Sequence, residues 1–583
     1  MEAIAAAALN SCEQFNSQDL SCTVWACAVL QLMDTPLLDA ISAPSMPKIY
    51  QADPQSLSNM AWADAPLAWF HEPLLAALSS AAMAKLNELI LQDLTITLWA
   101  FAKLLVHDWP LIDSLSAKSL ILSSDFAPQV ISNMSWSMAR LMIDNAPLLA
   151  ALSSEALPKM DDFYEQEIAN TAWALATMLV VDMPLLGALS VECIAKSGRL
   201  NPQECSNVAW AYAKVQIADG PLMDALSAAS LNRMSDFRAQ NLSNTVWAFA
   251  ALLISDLPLI DSISAKSLQI IADFDPQGSA NSAWAVGKLE VIGCPLMYAT
   301  SSTVAATMSS FRSQNLSNLV WAFATLVLVD DQLCDSIAEA AIQILPQVDA
   351  QGLSNTAWAF ARLECRNDPL MEVISAASMA ILSDFTGQNL SNTAWACATL
   401  EMTIAPLMNA IASAAIAISR QLDPQSLANT AWAFAAIEFR HMPLMAVIAS
   451  QSLRSIGDWT AVELSSFAWS YARLGWRNVP LMHASAACAS TQLSELTLLD
   501  IANTVWAFEA LEIPPGARLR SLINAHGLEG FVADAVKNVR NHGIEMVHLA
   551  NSGNLGPKAV RHYPSLHSVA GLQPWPPHGS ISD

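Results

Sequence analysis

Apolar and polar positions alternate along this chain in one recurring helical pattern. Its fullest copy, at residues 240–252, reads Gln-Asn-Leu-Ser-Asn-Thr-Val-Trp-Ala-Phe-Ala-Ala-Leu. A stop follows, and then a second run with apolar residues at helical spacing, such as Leu259, Ile260, Ile263 and Leu268. Tryptophan marks the pattern at 25, 62, 99, 136, 173, 210, 247, 284, 321, 358, 395, 432, 469 and 506, with 37 residues in every interval. Fourteen repeats without an insertion overrule the several globular domains that length alone would suggest, because a fixed period of this size belongs to stacked repeat architectures.

Boundary residues divide each repeat into two helices. The first opens at Asp53-Pro54-Gln55, Asn201-Pro202-Gln203, Asp275-Pro276-Gln277 and Asp423-Pro424-Gln425. There the Asp or Asn accepts an orphan backbone N–H and proline is preset for the first turn. The second opens at Asp34-Thr35-Pro36, Asp182-Met183-Pro184 and Asp256-Leu257-Pro258, and a proline stands eleven residues after the tryptophan in twelve repeats. No stretch alternates with period two. The pattern therefore predicts an all-α solenoid of fourteen helix pairs, each helix about 12 to 15 residues long. Its boundaries are an N-terminal cap over 1–14, the array over 15–511, capping helices over 512–562 and a disordered tail over 563–583, where Pro564, Pro574, Pro576 and Pro577 cluster. Pro66 should shorten the first helix of the second repeat. Cys22, Ile96 and Ser466 replace the usual Asn, and Gln332 and Ala517 the usual Pro.

Advancing about 100° per residue splits the first helix into two faces. The Leu five before the tryptophan and the Phe or Leu two after it share one face, which should pack on the second helix. The opposite sector carries the Gln seven before, the Asn three before and the residue four after, and should line the inside of the superhelix. These candidates are Gln55 and Asn59, Asn133, Gln203 and Asn207, Gln240 and Asn244, Gln277 and Asn281, Gln314 and Asn318, Gln351 and Asn355, Gln388 and Asn392, and Gln425 and Asn429. At the third position stand Lys103, Arg140, Lys214, Lys288, Arg362 and Arg473, with Thr177, Thr325 and Thr399 in three further repeats. Six of the array's 21 Lys and Arg thus fall on one of 37 positions, where even scatter places fewer than one.

Amide side chains on base edges and cations on phosphates are what recognition of single-stranded RNA requires, and helical repeats that read one base each are an established solution. Bland readings compete at every row. A recurring Asn can bond a neighbour's backbone, the Gln row can cap or face solvent, the Trp row can pack repeat on repeat, and the cations can form a solvated face. Asp34, Asp182, Asp219, Asp256 and Asp330 read as helix caps.

Composition narrows the choice. The chain of 583 residues has 27 basic against 52 acidic side chains and a formal charge of −25, which opposes indiscriminate nucleic-acid binding and leaves only a local cationic stripe. It is 54% hydrophobic, yet no segment approaches the ~18 consecutive apolar residues of a spanning helix, so the apolar content is core and no membrane partner is expected. Ten irregularly spaced cysteines read as buried thiols of a reducing compartment, not as disulfides or zinc ligands. Six of the ten histidines lie beyond residue 525 without metal or nucleophile spacing, and no phosphate-cradling Gly loop occurs. No enzyme, cofactor, metal or small-molecule substrate is expected. Residues 1–18 show neither a signal peptide nor an Arg-rich transit peptide. The expectation there is a cytosolic chain, or one whose leader lies outside this sequence.

The run Gln-x-Leu-Ala-Asn-x-x-Trp-Ala-x-Ala at 425–435 resembles the octotricopeptide repeat, and is similar to the repeats of FAST-kinase-like proteins and of a subunit of an RNA-editing substrate-binding complex. The resemblance covers roughly residues 15–511. It implies an α-solenoid that binds organellar RNA, in a mitochondrion or plastid, and acts in RNA processing, stability, editing or translation. The period of 37 instead of 38 and the lack of a matching C-terminal RAP domain are departures, so no nuclease-like activity carries over. A second reading is a protein-binding solenoid that holds a basic or extended peptide. The positions two and six before the tryptophan are further candidates for reading a ligand, and their modest diversity separates the two readings only weakly.

Overall fold

The computed structural model describes residues 12–514 apart from 292–294, 298–299, 301–309, 329–330, 346–347 and 490–497. The expected capping helices and tail lie outside it, as does most of the N-terminal cap. Every described element is helical and no strand occurs among the described residues. Most helices have 13 residues, as in the pair Ala239–Ala251 and Leu257–Gln269. The array divides into two compact units, one through Ile270 and one from Ile271, so that repeats 1–7 form an N-terminal stack and repeats 8–14 a C-terminal stack. Each stack is an α-solenoid.

Within each stack, first helices pack against the first helices of neighbouring repeats along their length, whereas successive second helices touch far less. First helices therefore form the tight side. The sequence permits this closeness through small residues one and three after the tryptophan, such as Ala248 and Ala250, which are fully buried. At the equivalent Gly287 an added Cβ would sit 3.0 Å from the Ala322 backbone of the next repeat, so even alanine would press on its neighbour.

The core lies between the two helix layers. Leu242, Val246 and Phe249 of a first helix and Leu259, Ile260 and Ile263 of a second are all buried. At roughly 1.5 to 3 kcal/mol for each large apolar side chain removed from water, this repeated set is the main source of stability. Tyr212 and Tyr471 take the Phe position and donate their hydroxyls to the carbonyls of Leu186 and Met445, 26 residues earlier on a second helix. Asp64 occupies the same register in repeat 2, fully buried, with no hydrogen-bond partner on either oxygen.

First helices end in one way throughout. The residue six after the tryptophan is left-handed, as at Leu179 (φ 55°), and the next amide bonds back to the carbonyl two after the tryptophan, as Val180 does to Leu175 at 2.9 Å. This is the Schellman closure, built here almost entirely without glycine: among the described repeats only Gly475 supplies one. Pro66 acts as expected, since the first helix of repeat 2 is the shorter Pro54–Asp64.

The aspartates expected as caps are caps. Asp34, Asp182, Asp219 and Asp256 each accept the backbone N–H three residues on at 3.1 Å, while Asp330 lies outside the described residues. Their second oxygens also join repeats, for Ser153, Ser190 and Ser227 donate to Asp182, Asp219 and Asp256 across 29 residues. Lysines near the ends of second helices close each pair instead. Lys48, Lys159 and Lys196 donate to the carbonyls of Phe15, Phe126 and Phe163, just before the first helix of the same pair.

Candidate functional site

On the first helices one strip reaches solvent. Gln55, Gln203 and Gln240 are exposed on that strip, while Gln277, Gln314, Gln351, Gln388 and Gln425 are half-buried. The asparagines lie deeper. Asn59, Asn133, Asn244 and Asn429 are half-buried, and Asn207, Asn281, Asn318, Asn355 and Asn392 are buried. Lys103, Arg140, Lys214, Lys288, Arg362 and Arg473 are all half-buried. The three rows thus share a strip but differ in depth, the amides between helices and the cations and glutamines at its rim.

The strip carries polar atoms that the protein does not satisfy. Asn355 Oδ1, Asn392 Nδ2, Thr177 and Thr399 Oγ1, Trp173 and Trp321 Nε1, and Arg140 and Arg473 Nε are buried without a hydrogen-bond partner. Asn355 Oδ1 and Asn392 Nδ2 are thus, in each amide, the one atom that no neighbouring group meets. Thr325, by contrast, back-bonds to the Trp321 carbonyl at 2.9 Å. An unsatisfied buried polar group costs about 1–3 kcal/mol, so a strip of them is costly unless a polar guest or ordered water meets it.

Charge is distributed unequally between the stacks. Burial lowers the pKa of the Lys214 ammonium, and it lowers that of the Arg362 guanidinium against the opposing pull of Glu364. Arg473 reaches Glu438 of the preceding repeat at 2.7 Å. Glu290, Glu364, Glu401, Glu438 and Glu512 fill the left-handed position in the C-terminal stack, whereas Leu105, Met142, Leu179, Gln216 and Leu253 fill it in the N-terminal stack. The cations of repeats 3, 4 and 6 consequently face no acidic row of that kind.

The tryptophans pack repeat on repeat. Trp99 and Trp136 have ring centroids 6.2 Å apart, Trp136 and Trp173 6.3 Å, in tilted pairs, and most of the row from Trp173 onward is buried. Trp25, at the start of the array, is 45% exposed.

Two candidate positions are corrected. Residues two before the tryptophan, including Thr97, Met134, Thr171, Val208, Leu319 and Phe467, are buried in the core. Thr356, Thr393 and Thr430 there bond the carbonyl four residues back. Residues six before the tryptophan are structural as well. Asp93, Glu204, Asn389 and Glu463 each accept the backbone N–H of the residue that caps their own helix. Ser58 donates to Asp93 at 3.0 Å, Asn389 to Ser354 at 2.9 Å and Ser465 to Asp500 at 2.7 Å, each across 35 residues. Where the cap is Asp53, Asp275, Asp349 or Asp423, the position shrinks to Ser56, Gly278, Gly352 or Ser426, because the cap itself accepts that residue's N–H. Its modest diversity records two ways of capping a helix.

Among the described residues no group of three or more His, Cys, Asp and Glu could hold a metal ion, and no helix is long and apolar enough to cross a membrane. His71 and His441 serve as N-caps, and the six C-terminal histidines lie outside the described residues.

No curated protein is significantly similar to the chain in sequence. Among solved structures, a chain in a homology model of the full-length AP-3 complex in an intermediate open conformation is similar at 12% identity over 98% of this chain and 90% of that one. Its TM-score of 0.30 carries no argument. The model of one family, described as RNA-editing substrate-binding complex 6 protein, matches residues 1–220, 215–330 and 299–479. Those segments span most of the repeat array, and the chain belongs to the family of RNA-editing substrate-binding complex 6 proteins.

Proposed function

We propose that this chain is an RNA-binding helical-repeat scaffold of an RNA-editing substrate-binding assembly, and that single-stranded RNA runs along the exposed strip of its first helices. The observation that carries this reading is the row of buried polar atoms without partners at Asn355, Asn392, Thr177, Thr399, Trp173, Trp321, Arg140 and Arg473. A base edge or phosphate supplies the donors and acceptors that such atoms lack. Arg140 and Lys214, half-buried in the stack whose left-handed row holds no acid, are the phosphate contacts. The family's name supports both RNA and protein partners in editing, and membership of the family favours a mitochondrial setting over a plastid one. The role is one of holding RNA, not of catalysis.

Crosslinking in cells with sequencing of the bound RNA tests this. Arg140→Glu with Lys214→Glu should remove most of the crosslinked RNA, while Arg366→Glu, an exposed arginine already paired with Asp368, should leave it unchanged. No RNA on the parent chain would end the reading, and an unchanged yield in the double variant would end its site. The exposed Glu364, Glu401 and Glu438 favour a second reading for the C-terminal stack, a seat for a basic peptide, which a peptide array on that stack separates from the first.

A further inference from the structure

Two cysteines of the C-terminal stack meet across a repeat boundary. Cys334 lies on the second helix of repeat 9 (Asp331–Ile344), and Cys365 follows the first helix of repeat 10 (Ala350–Arg362) directly after the left-handed Glu364. Their Sγ atoms are 2.7 Å apart, about 0.7 Å beyond the ~2.05 Å of a sulfur–sulfur bond. Cys334 is buried and Cys365 half-buried, so a small oxidant reaches one sulfur while the other waits behind it. Burial pushes the Cys193, Cys205 and Cys397 thiols up to about 12, which leaves them inert at neutral pH.

We propose that Cys334 and Cys365 form a reversible redox pair that closes into a disulfide on contact with a hydroperoxide. The Cys365 sulfur attacks the peroxide O–O bond, becoming a sulfenic acid as the distal oxygen leaves with the thiol proton as an alcohol, or as water from hydrogen peroxide. Cys334 then attacks that sulfur, the S–S bond forms, and the sulfenic oxygen leaves as water with the second thiol proton. Two thiols give up two electrons and two protons, and the peroxide is reduced by the same two electrons. The bond ties the end of one first helix to the preceding second helix. It thereby fixes the segment that carries Arg362 and Glu364 on the strip's rim. A loop of about 30 residues closed in this way constrains the unfolded chain, so the oxidised stack should open less often. The inference is independent of the RNA reading, since it rests on the sulfur geometry alone.

The full-length chain is treated with hydrogen peroxide or with dithiothreitol, alkylated, digested without reduction and mapped by mass spectrometry, with amide exchange followed in parallel. The expected result is a linked peptide joining residues 334 and 365 in monomeric protein, undone by dithiothreitol, with several-fold slower exchange over 350–370 in the oxidised form. Cys334→Ser should leave Cys365 trappable as a sulfenic acid by dimedone, and both Cys334→Ser and Cys365→Ser should lose the exchange difference. Either variant alone suffices if the other fails to fold. Free alkylation of both cysteines after peroxide, or over-oxidation of Cys365 to sulfinic acid in the parent without a linked peptide, would overturn the proposal.

Discussion

Asp64 shows what one residue does when it departs from the pattern. Elsewhere its register holds apolar side chains such as Phe101, Leu175, Phe249 and Phe434, or Tyr212 and Tyr471, whose hydroxyls find carbonyls. Asp64 finds none, and desolvation alone holds its carboxyl well above the ordinary carboxylate range. The folded chain therefore keeps this proton after the unfolded chain has lost it. Stability falls as pH rises from about 4, the ordinary value, through the raised one, and the loss persists at neutral pH. Asp64→Leu is expected to stabilise the N-terminal stack by about 1–3 kcal/mol at pH 7 and to remove that part of the pH dependence. Amide exchange over repeats 1–3 at pH 5 and pH 8 checks both. Leu179 makes the opposite case in the backbone, at φ 55° with its side chain mostly exposed. Leu179→Gly should gain a few tenths to about 1 kcal/mol, the relief of left-handed strain less the freedom that glycine adds to the unfolded chain. Thermal unfolding of the single variant measures it.

At the scale of the helix, stability is exchanged between repeats through caps. Asp182 accepts from Leu185 on its own helix and from Ser153 on the one before. Asp182→Ala should cost about 1–2 kcal/mol, more than a cap alone, and Ser153→Ala less, with a coupling in the double variant that a mutant cycle reads out. The small-residue seam gives a second test. Gly287→Val drives two methyl groups against Ala322 and should cost about 1–3 kcal/mol, visible as faster exchange in the first helices of repeats 8 and 9. The helices themselves were legible in the sequence, because Asp-Pro openings, the proline eleven after the tryptophan and the 37-residue period are local signals. The closures were not. Leu105, Met142 and Leu253 carry the left-handed conformation without the glycine that announces it. The bond from Asn389 to Ser354 joins residues 35 apart, and no helical wheel drawn on one helix reveals it.

At the scale of the whole chain, the strip itself was legible and its depth was not. Angular position around a helix told which side Gln, Asn and the cations share. How far the Asn row sinks between helices depends on how closely the alanines let first helices approach, which is a property of two repeats. With Thr171 and Glu204 assigned to packing and capping, the proposed base contacts fall to the Gln and Asn rows, which vary little from repeat to repeat, while the residue four after the tryptophan, mostly Lys, Arg, Thr or Ala, would meet phosphate. Binding should therefore be tolerant of sequence, with homopolymers differing by only a few-fold, and strongly dependent on salt. Each phosphate contact should contribute about 0.7 to the slope of log K against log salt, and Arg140→Ala and Lys214→Ala should each lower that slope by about that amount. Fluorescence anisotropy across a salt series provides the measurement.

Ties at constant offsets of 29 and 35 residues link several repeats to a neighbouring repeat, with no longer-range anchor among the hydrogen bonds described above. Such a chain is modular in the way a ruler is: cutting out one full period between two cap residues and rejoining the ends brings the same partners back into register. Evolution or an engineer can thus lengthen or shorten the array in whole graduations of 37 residues, whereas an insertion of any other length would misalign the ties on both sides of it.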